Sequence, residues 1–204
     1  MPSSMTWIDS RLGGAAPSIA PNTYTVNATT QIRHALGWVS TYARRSGGLT
    51  CLNVMCHGIA GGVHDQIEQV CAMDLGFGLQ LCAENLTRSN VNLAGVLRNL
   101  VCEIFIYACG AARTRRSSAG TVADGRRFCS ELAAITNAAV IAADTFQVFT
   151  TSGSASRIDF GDWEGNVYRF MPDGSARLVC SGRTPEAELR RLGSDPNRVM
   201  PFHI

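Results

Sequence analysis

The chain alternates three times between a helix-like stretch and a short run of mostly apolar residues. The runs are Leu49 to Cys56, Glu103 to Ala108 and Ala138 to Ala142, each of strand rather than helix length. Near-continuous apolar runs are typical of strands that are buried on both faces of a parallel sheet. The alternation therefore predicts an α/β domain with a mostly parallel central sheet.

Residues with helical spacing precede each of these runs. The first predicted helix ends at Gly47-Gly48, the second is capped by Asn90, and the third begins at about Thr121. The apolar positions that define them are Ile32, Leu36, Val39 and Tyr42 in the first, Leu93, Val96, Leu97 and Leu100 in the second, and Phe128, Cys129, Leu132 and Ile135 in the third.

The ends of the chain lack this alternation. Residues 1–27 are predicted to form an N-terminal arm, residues 28–183 the domain, and residues 184–204 a C-terminal tail. Within the domain, Asp173-Gly174 lies between two strand-like runs and predicts a C-terminal β-hairpin.

Charge and hydropathy argue against two classes of partner. With 18 basic and 16 acidic residues, the net charge of +2 gives no support for nucleic-acid binding. No run approaches the roughly 18 apolar residues of a membrane span. The N-terminus also lacks the features of a secretory signal peptide, so we expect a cytoplasmic location.

Two reactive side chains follow two of the predicted strands directly, namely His57 after the first and Cys109 after the second. Ligands of open α/β sheets bind outside the carboxyl ends of the strands. Sequential parallel strands are often neighbours, so we expect both side chains to face one crevice. An imidazole beside a thiol accepts its proton, so the pattern predicts a nucleophile and base.

Glycines flank both of these side chains. Backbone N–H groups at Gly58 and Cys109 are predicted to meet a developing oxyanion. Gly110 is expected to allow the sharp turn that exposes the sulfur, and Gly61-Gly62 to keep the loop after His57 open.

The blocks Val54-Met55-Cys56-His57-Gly58 and Ile106-Tyr107-Ala108-Cys109-Gly110 resemble the two signature blocks of caspase-like cysteine peptidases. The region from Leu49 to Ala143 is similar to bacterial members of that group. The resemblance implies a caspase-haemoglobinase fold, a three-layer sandwich whose central sheet is flanked by helices. It also implies hydrolysis of peptide bonds in a peptide or protein substrate through a thioester, without metal or cofactor.

The match to the caspase signature Q-A-C-[RQG]-G is partial. Ala108, Cys109 and Gly110 agree with it, and the His lies about 50 residues upstream as the signature requires. Tyr107 and Ala111 replace the Gln and the last Gly. The chain is therefore not expected to be a true caspase.

Two further sets of residues carry alternative interpretations. Asp144 is either a pocket carboxylate that selects Arg or Lys, or a loop cap. Arg113, Arg115 and Arg116 form either a solvated face, a site for an acidic substrate or anionic activator, or an exposed processing loop.

The remaining cysteines are predicted to be free and buried, among them Cys51, Cys56 and Cys102. Cys51, Cys56, His57, His64 and Cys71 lack the spacing of a zinc site, so no metal is expected. The alternative function is a catalytically inactive caspase-like module that serves as a binding or scaffold protein.

Overall fold

The computed structural model describes residues 3–18, 20, 22–61, 74–114, 124–154, 156–182 and 198–199. The α-helices are α1 (Ile32–Arg45) and α2 (Gly125–Thr136), and 3₁₀ turns cover Ser10–Leu12 and Val91–Leu97. In chain order the strands are β1 (Ser3–Asp9), β2 (Thr23–Val26), β3 (Leu49–Met55), β4 (His57–Gly61), β5 (Asp74–Gln80), β6 (Leu86–Thr87), β7 (Val101–Tyr107), β8 (Ala139–Ala143), β9 (Phe149–Ser152), β10 (Arg157–Asp159), β11 (Asn166–Phe170), β12 (Ala176–Ser181) and β13 (Arg198–Val199).

A seven-stranded sheet forms the centre of the fold, in the order β2-β1-β3-β7-β8-β11-β12. Its first five strands are mutually parallel. The last two are an antiparallel hairpin, and β11 also runs antiparallel to β8. The predicted mixed α/β class, mostly parallel sheet and C-terminal hairpin are confirmed.

Both α-helices of the described chain pack on the same face of this sheet. The sheet grows in one direction from β1 through β3 and β7 to β8, and right-handed crossovers in one direction place their helices on one side. One core cluster accordingly joins α1 and α2 to alternate residues of the strands, such as Leu52, Ile104 and Val140. The opposite face is covered in part by Phe149 of β9 and Ile158 of β10.

The N-terminal segment is an integral part of the sheet, in contrast to the arm that its composition suggested. β1 lies between β2 and β3 and is paired with both. Five successive residues of β1, from Met5 to Asp9, are buried. Its sequence includes the buried polar residues Thr6 and Asp9, so it lacks the near-continuous apolar run by which the other central strands were predicted.

Two predicted local structures differ from the fold. The stretch after His57 is strand β4, which pairs with β5 in a small three-stranded sheet, where an open loop was expected. The second predicted helix is only a 3₁₀ turn, and Asn90 does not cap it because its side-chain oxygen accepts from the N–H of Thr87 at 2.8 Å.

The other two predicted helices are present. Gly47 and Gly48 end α1 with φ values of +73° and +103°. α2 is capped by Asp124, whose carboxylate accepts from the N–H of Arg127 at 3.0 Å, and Thr121 lies outside the described residues. No helix in the described ranges is long and apolar enough to cross a membrane.

Candidate functional site

His57 and Cys109 lie at the ends of two strands that are direct neighbours. β3 and β7 pair in parallel with Met55 opposite Tyr107, and the N–H of Cys56 donates to the carbonyl of Tyr107 at 3.2 Å. His57 and Cys109 lie two residues further along each chain. The expected pairing of the two strands as neighbours is confirmed, and the meeting of the two side chains in one crevice stays a prediction.

Gly58 makes this close approach possible. A Cβ atom at position 58 would overlap the carbonyl oxygen of Cys109. Only glycine therefore allows the first residues of β4 to pass so close to the backbone at Cys109. The backbone of Gly58 is therefore in contact with the backbone of Cys109.

The thiol of Cys109 is enclosed by residues that follow β8. Cys109 is only 4% exposed, and its Sγ lies 3.4 Å from the N of Gln147 and 3.6 Å from the Gln147 carbonyl oxygen. Burial raises the pKa of the Cys109 thiol to about 12, and the nearby Glu164 carboxylate acts in the same direction. The sulfur is therefore protonated at neutral pH and shielded from solvent.

Gln147 and Glu164 hold this enclosing segment in place. Both are almost fully buried. The Gln147 side-chain amide donates to the carbonyl of Phe146 at 2.9 Å and to that of Glu164 at 3.0 Å. The Glu164 carboxylate accepts from the N–H of Val148 at 3.3 Å. Sequence analysis indicated neither residue, since a single buried Gln or Glu has no periodic signal.

The ring of His57 is held by a backbone carbonyl. Its Nε2 lies 3.1 Å from the carbonyl oxygen of Arg11. A carbonyl can only accept, so Nε2 carries a proton. When the ring is neutral, Nδ1 is then the nitrogen that can accept a proton.

Two other predicted site residues, Asp144 and Gly110, form hydrogen bonds within the chain. The Asp144 carboxylate accepts from the backbone N–H of Asn166 at 2.9 Å and from its side-chain amide at 3.2 Å, which is the loop-cap arrangement. Gly110 has a φ of +57°, as a sharp turn requires. Its N–H donates to the carbonyl of Thr145 at 2.7 Å, so this donor is engaged within the chain.

The basic residues after Cys109 are only partly described. Arg113 is half-buried, and its carbonyl accepts from the N–H of Gly125 at 2.7 Å, at the start of α2. Arg115 and Arg116 lie outside the described residues, so the anion-site interpretation stays a prediction.

The cysteines are free but not uniformly buried. All seven cysteines in the described part of the chain are unpaired, and Cys102 and Cys180 are exposed. The expectation of burial is confirmed for Cys56 and wrong for Cys102 and Cys180, and Cys51 is only half-buried. Cys102 is exposed because alternate side chains of β7 point away from the core. Among described residues, no group of three or more His, Cys, Asp or Glu could hold a metal ion; His64 and Cys71 lie outside this set.

No protein-family profile matches this chain, and no curated protein matches its sequence. The chemistry of the site is therefore inferred from its own residues.

Proposed function

We propose that the chain is a cysteine endopeptidase of the caspase-haemoglobinase type, with Cys109 as nucleophile and His57 as general base. The observation that carries the proposal is the parallel pairing of β3 and β7, whose carboxyl ends lead directly to His57 and Cys109. The Nε2–H tautomer of His57 and the contact of Gly58 with the Cys109 backbone support the same assignment. The three-layer caspase-haemoglobinase fold is part of this proposal, and the described α-helices supply the helical layer on one face of the sheet.

In the proposed reaction, Nδ1 of His57 takes the proton of the Cys109 thiol, and the sulfur bonds to the substrate carbonyl carbon. The C–N bond then breaks, and His57 returns the proton to the leaving amine. A water molecule next attacks the thioester, while His57 accepts a proton from it and returns that proton to the departing sulfur. Backbone N–H groups of Gly58 and Cys109 are the proposed oxyanion donors.

The described conformation is, in this proposal, a closed resting form. Gln147 covers the sulfur and its backbone occupies both hydrogen-bonding directions of the thiol. A substrate carbonyl reaches the sulfur only when residues 145–149 move away. Removal of the burial that raises the Cys109 pKa would at the same time favour the thiolate.

A thiol-reactive peptide probe tests the nucleophile. Wild type is expected to carry the label at Cys109, and Cys109→Ala to lose it together with cleavage of a peptide library, by more than about 1,000-fold. The matched control is Cys102→Ala, which removes an exposed thiol elsewhere on β7 and should leave both signals intact. Equal labelling of Cys109→Ala and wild type, located by peptide mapping, would contradict the proposal.

The enclosure of Cys109 favours a second candidate, a binding or scaffold module of the same fold without turnover. A filled site is what such a module would retain after loss of catalysis. Absence of cleavage and of Cys109 labelling in both wild type and Gln147→Ala would favour this second function over the first.

A further inference from the structure

An ion pair between the buried Asp9 and the partly exposed Arg11 lies next to His57, at the end of β1. Asp9 ends β1 and has no exposed surface. Its Oδ1 accepts from the backbone N–H of Arg11 at 3.0 Å and from Arg11 Nε at 2.8 Å. Its Oδ2 accepts from Arg11 Nη2 at 2.7 Å and from the N–H of Cys82 at 3.0 Å. Four donors therefore compensate the buried carboxylate.

The Asp9–Arg11 pair also contacts the chain just after β5, the strand that pairs with β4 at His57. Nη2 of Arg11 also donates to the carbonyl of Cys82 at 2.8 Å. Cys82 has a φ of +62°, a conformation that non-glycine residues rarely adopt without support. It lies two residues beyond Gln80, which pairs with His57 across β4 and β5. Asp9 and Arg11 thus join the end of β1 to the chain that flanks His57.

The carbonyl that holds the His57 ring belongs to Arg11 itself. Both the backbone N–H and the guanidinium of Arg11 are bound to Asp9, so the residue is fixed at two points. Its carbonyl oxygen, 3.1 Å from Nε2 of His57, is therefore fixed as well. The hydrogen bond to Asp9 raises the pKa of Arg11 above its already high ordinary value, so the guanidinium stays charged at neutral pH.

We propose that Asp9 and Arg11 are positioning residues for His57, which act through the Arg11 carbonyl to fix the tautomer and orientation of the imidazole. This role deepens the proposed peptidase function and rests on it for its consequence in catalysis. The physical clamp, meaning the bonds among Asp9, Arg11 and Cys82, can be tested without any turnover.

The test uses the full chain, labelled with ¹⁵N, in wild type and in Arg11→Lys and Asp9→Asn. Arg11→Lys keeps the positive charge beside Asp9 but loses the two-pronged bond, so it preserves folding better than removal of the charge. The matched control is Glu103→Gln, which breaks the 2.6 Å ion pair with Arg169 on the same sheet. A His57→Asn variant assigns the His57 ring signals among the four histidines.

The first readout is the exchange of the His57 Nε2 proton with water. Wild type should give a protected, hydrogen-bonded signal, and exchange should become at least about fivefold faster in Arg11→Lys and Asp9→Asn, because the acceptor is no longer held. Glu103→Gln should match wild type, and backbone amides of β3 should exchange equally in all four proteins. Wild-type-like exchange in both clamp variants, or no protected wild-type signal, would overturn the proposal.

The second readout is peptide cleavage. Both clamp variants should lower kcat about 100-fold, as a misplaced base does, with KM nearly unchanged. Unchanged kcat in an active chain would also overturn the positioning role. If Cys109→Ala cleaves peptides as wild type does, the proposed peptidase function fails. Exchange of the His57 ring proton would still show whether Asp9 and Arg11 orient His57. The failure of the peptidase proposal and the failure of the positioning proposal are therefore distinguishable.

Discussion

The sulfur of Cys109 follows β7, the neighbour of the strand that leads to His57, and its hydrogen-bond contacts are with the backbone of Gln147. Neighbouring strand ends follow from the topology of a parallel sheet, whereas the ionisation of the thiol depends on what covers it. Burial raises the pKa of Cys109 to about 12, so the thiol is protonated while it stays enclosed. Its ionisation therefore depends on the segment that Gln147 and Glu164 hold in place.

Gln147→Ala is expected to expose the thiol. The substitution removes the bonds from the Gln147 amide to the carbonyls of Phe146 and Glu164, and it leaves buried acceptors without a donor. Modification of Cys109 by iodoacetamide should become about 10-fold faster, because loss of one to two such bonds makes opening that much easier. Peptide mapping over time gives the rate, with the exposed Cys102 as internal reference.

The control for this substitution is Gln31→Ala. Gln31 is exposed at the start of α1 and its side chain makes no capping bond. Gln31→Ala should leave the rate of Cys109 modification at the wild-type value. If Gln147→Ala also leaves this rate unchanged, the segment after β8 is held by contacts other than those of the Gln147 amide.

The sequence predicts which residues directly follow the recognisable strands. It does not predict residues whose hydrogen bonds link distant parts of the chain. His57 and Cys109 could be predicted because an apolar run ends immediately before each. Asp9 and Arg11 could not, since their bonds depend on Cys82, in a distant loop of the chain. Gln147 is likewise polar and isolated in sequence, and only the fold shows that it is buried.

Elements were predictable where a local period exists. α1 and α2 have apolar faces at helical spacing, and β3, β7 and β8 are continuous apolar runs. β1 and β4 lack such a signal, because the buried Thr6 and Asp9 interrupt the apolar run of β1 and β4 is short, rich in glycine and, among the described strands, paired only with β5. Strands that form only through pairing with distant parts of the chain could not be predicted from the sequence alone.

Gly58→Ala tests whether the start of β4 depends on close packing against Cys109. The added Cβ would overlap the Cys109 carbonyl, a backbone atom that cannot rotate away. We expect a loss of about 1–3 kcal/mol in the free energy of unfolding and weakening of the bond between His57 Nε2 and Arg11. Urea denaturation measures the first effect and ring-proton exchange the second.

Gly37→Ala is the matched control for this glycine. Gly37 lies within α1, and a Cβ there would meet no atom within 4 Å. Alanine should therefore stabilise the protein by about 0.5–1 kcal/mol through helix propensity. A Gly58→Ala protein as stable as Gly37→Ala would show that β4 can move away from Cys109 without cost.

At the scale of the whole molecule, buried or half-buried free thiols lie in a strand, a helix and the loops around the central sheet. Burial raises the pKa of Cys51 to about 11 and that of Cys82 to about 12. It raises the pKa values of Cys56 and Cys129 as well. Each of these thiols stays protonated in the folded chain under conditions in which an unfolded chain would release its proton.

The free energy of unfolding should consequently fall as the pH rises from about 8.5 to 10, beginning near the ordinary pKa of a thiol, roughly 8.5. In this range the unfolded chain binds fewer protons than the folded chain, so each buried thiol lowers the stability by up to about 1.4 kcal/mol per pH unit. The stabilising contribution is complete below pH 8 and diminishes as the unfolded thiols ionise. Urea denaturation under reducing conditions at several pH values measures the slope.

Cys129→Ala distinguishes this mechanism from general alkaline denaturation. Cys129 is fully buried beside the carbonyl of Ala111, so its removal should reduce the slope by the contribution of one proton, whatever its effect on stability at neutral pH. Cys102→Ala removes an exposed thiol and should leave the slope unchanged. Identical slopes for Cys129→Ala and wild type would mean that the buried thiols do not cause the loss of stability at alkaline pH. The tyrosines would then be the next groups to test, since burial also raises the pKa of Tyr107.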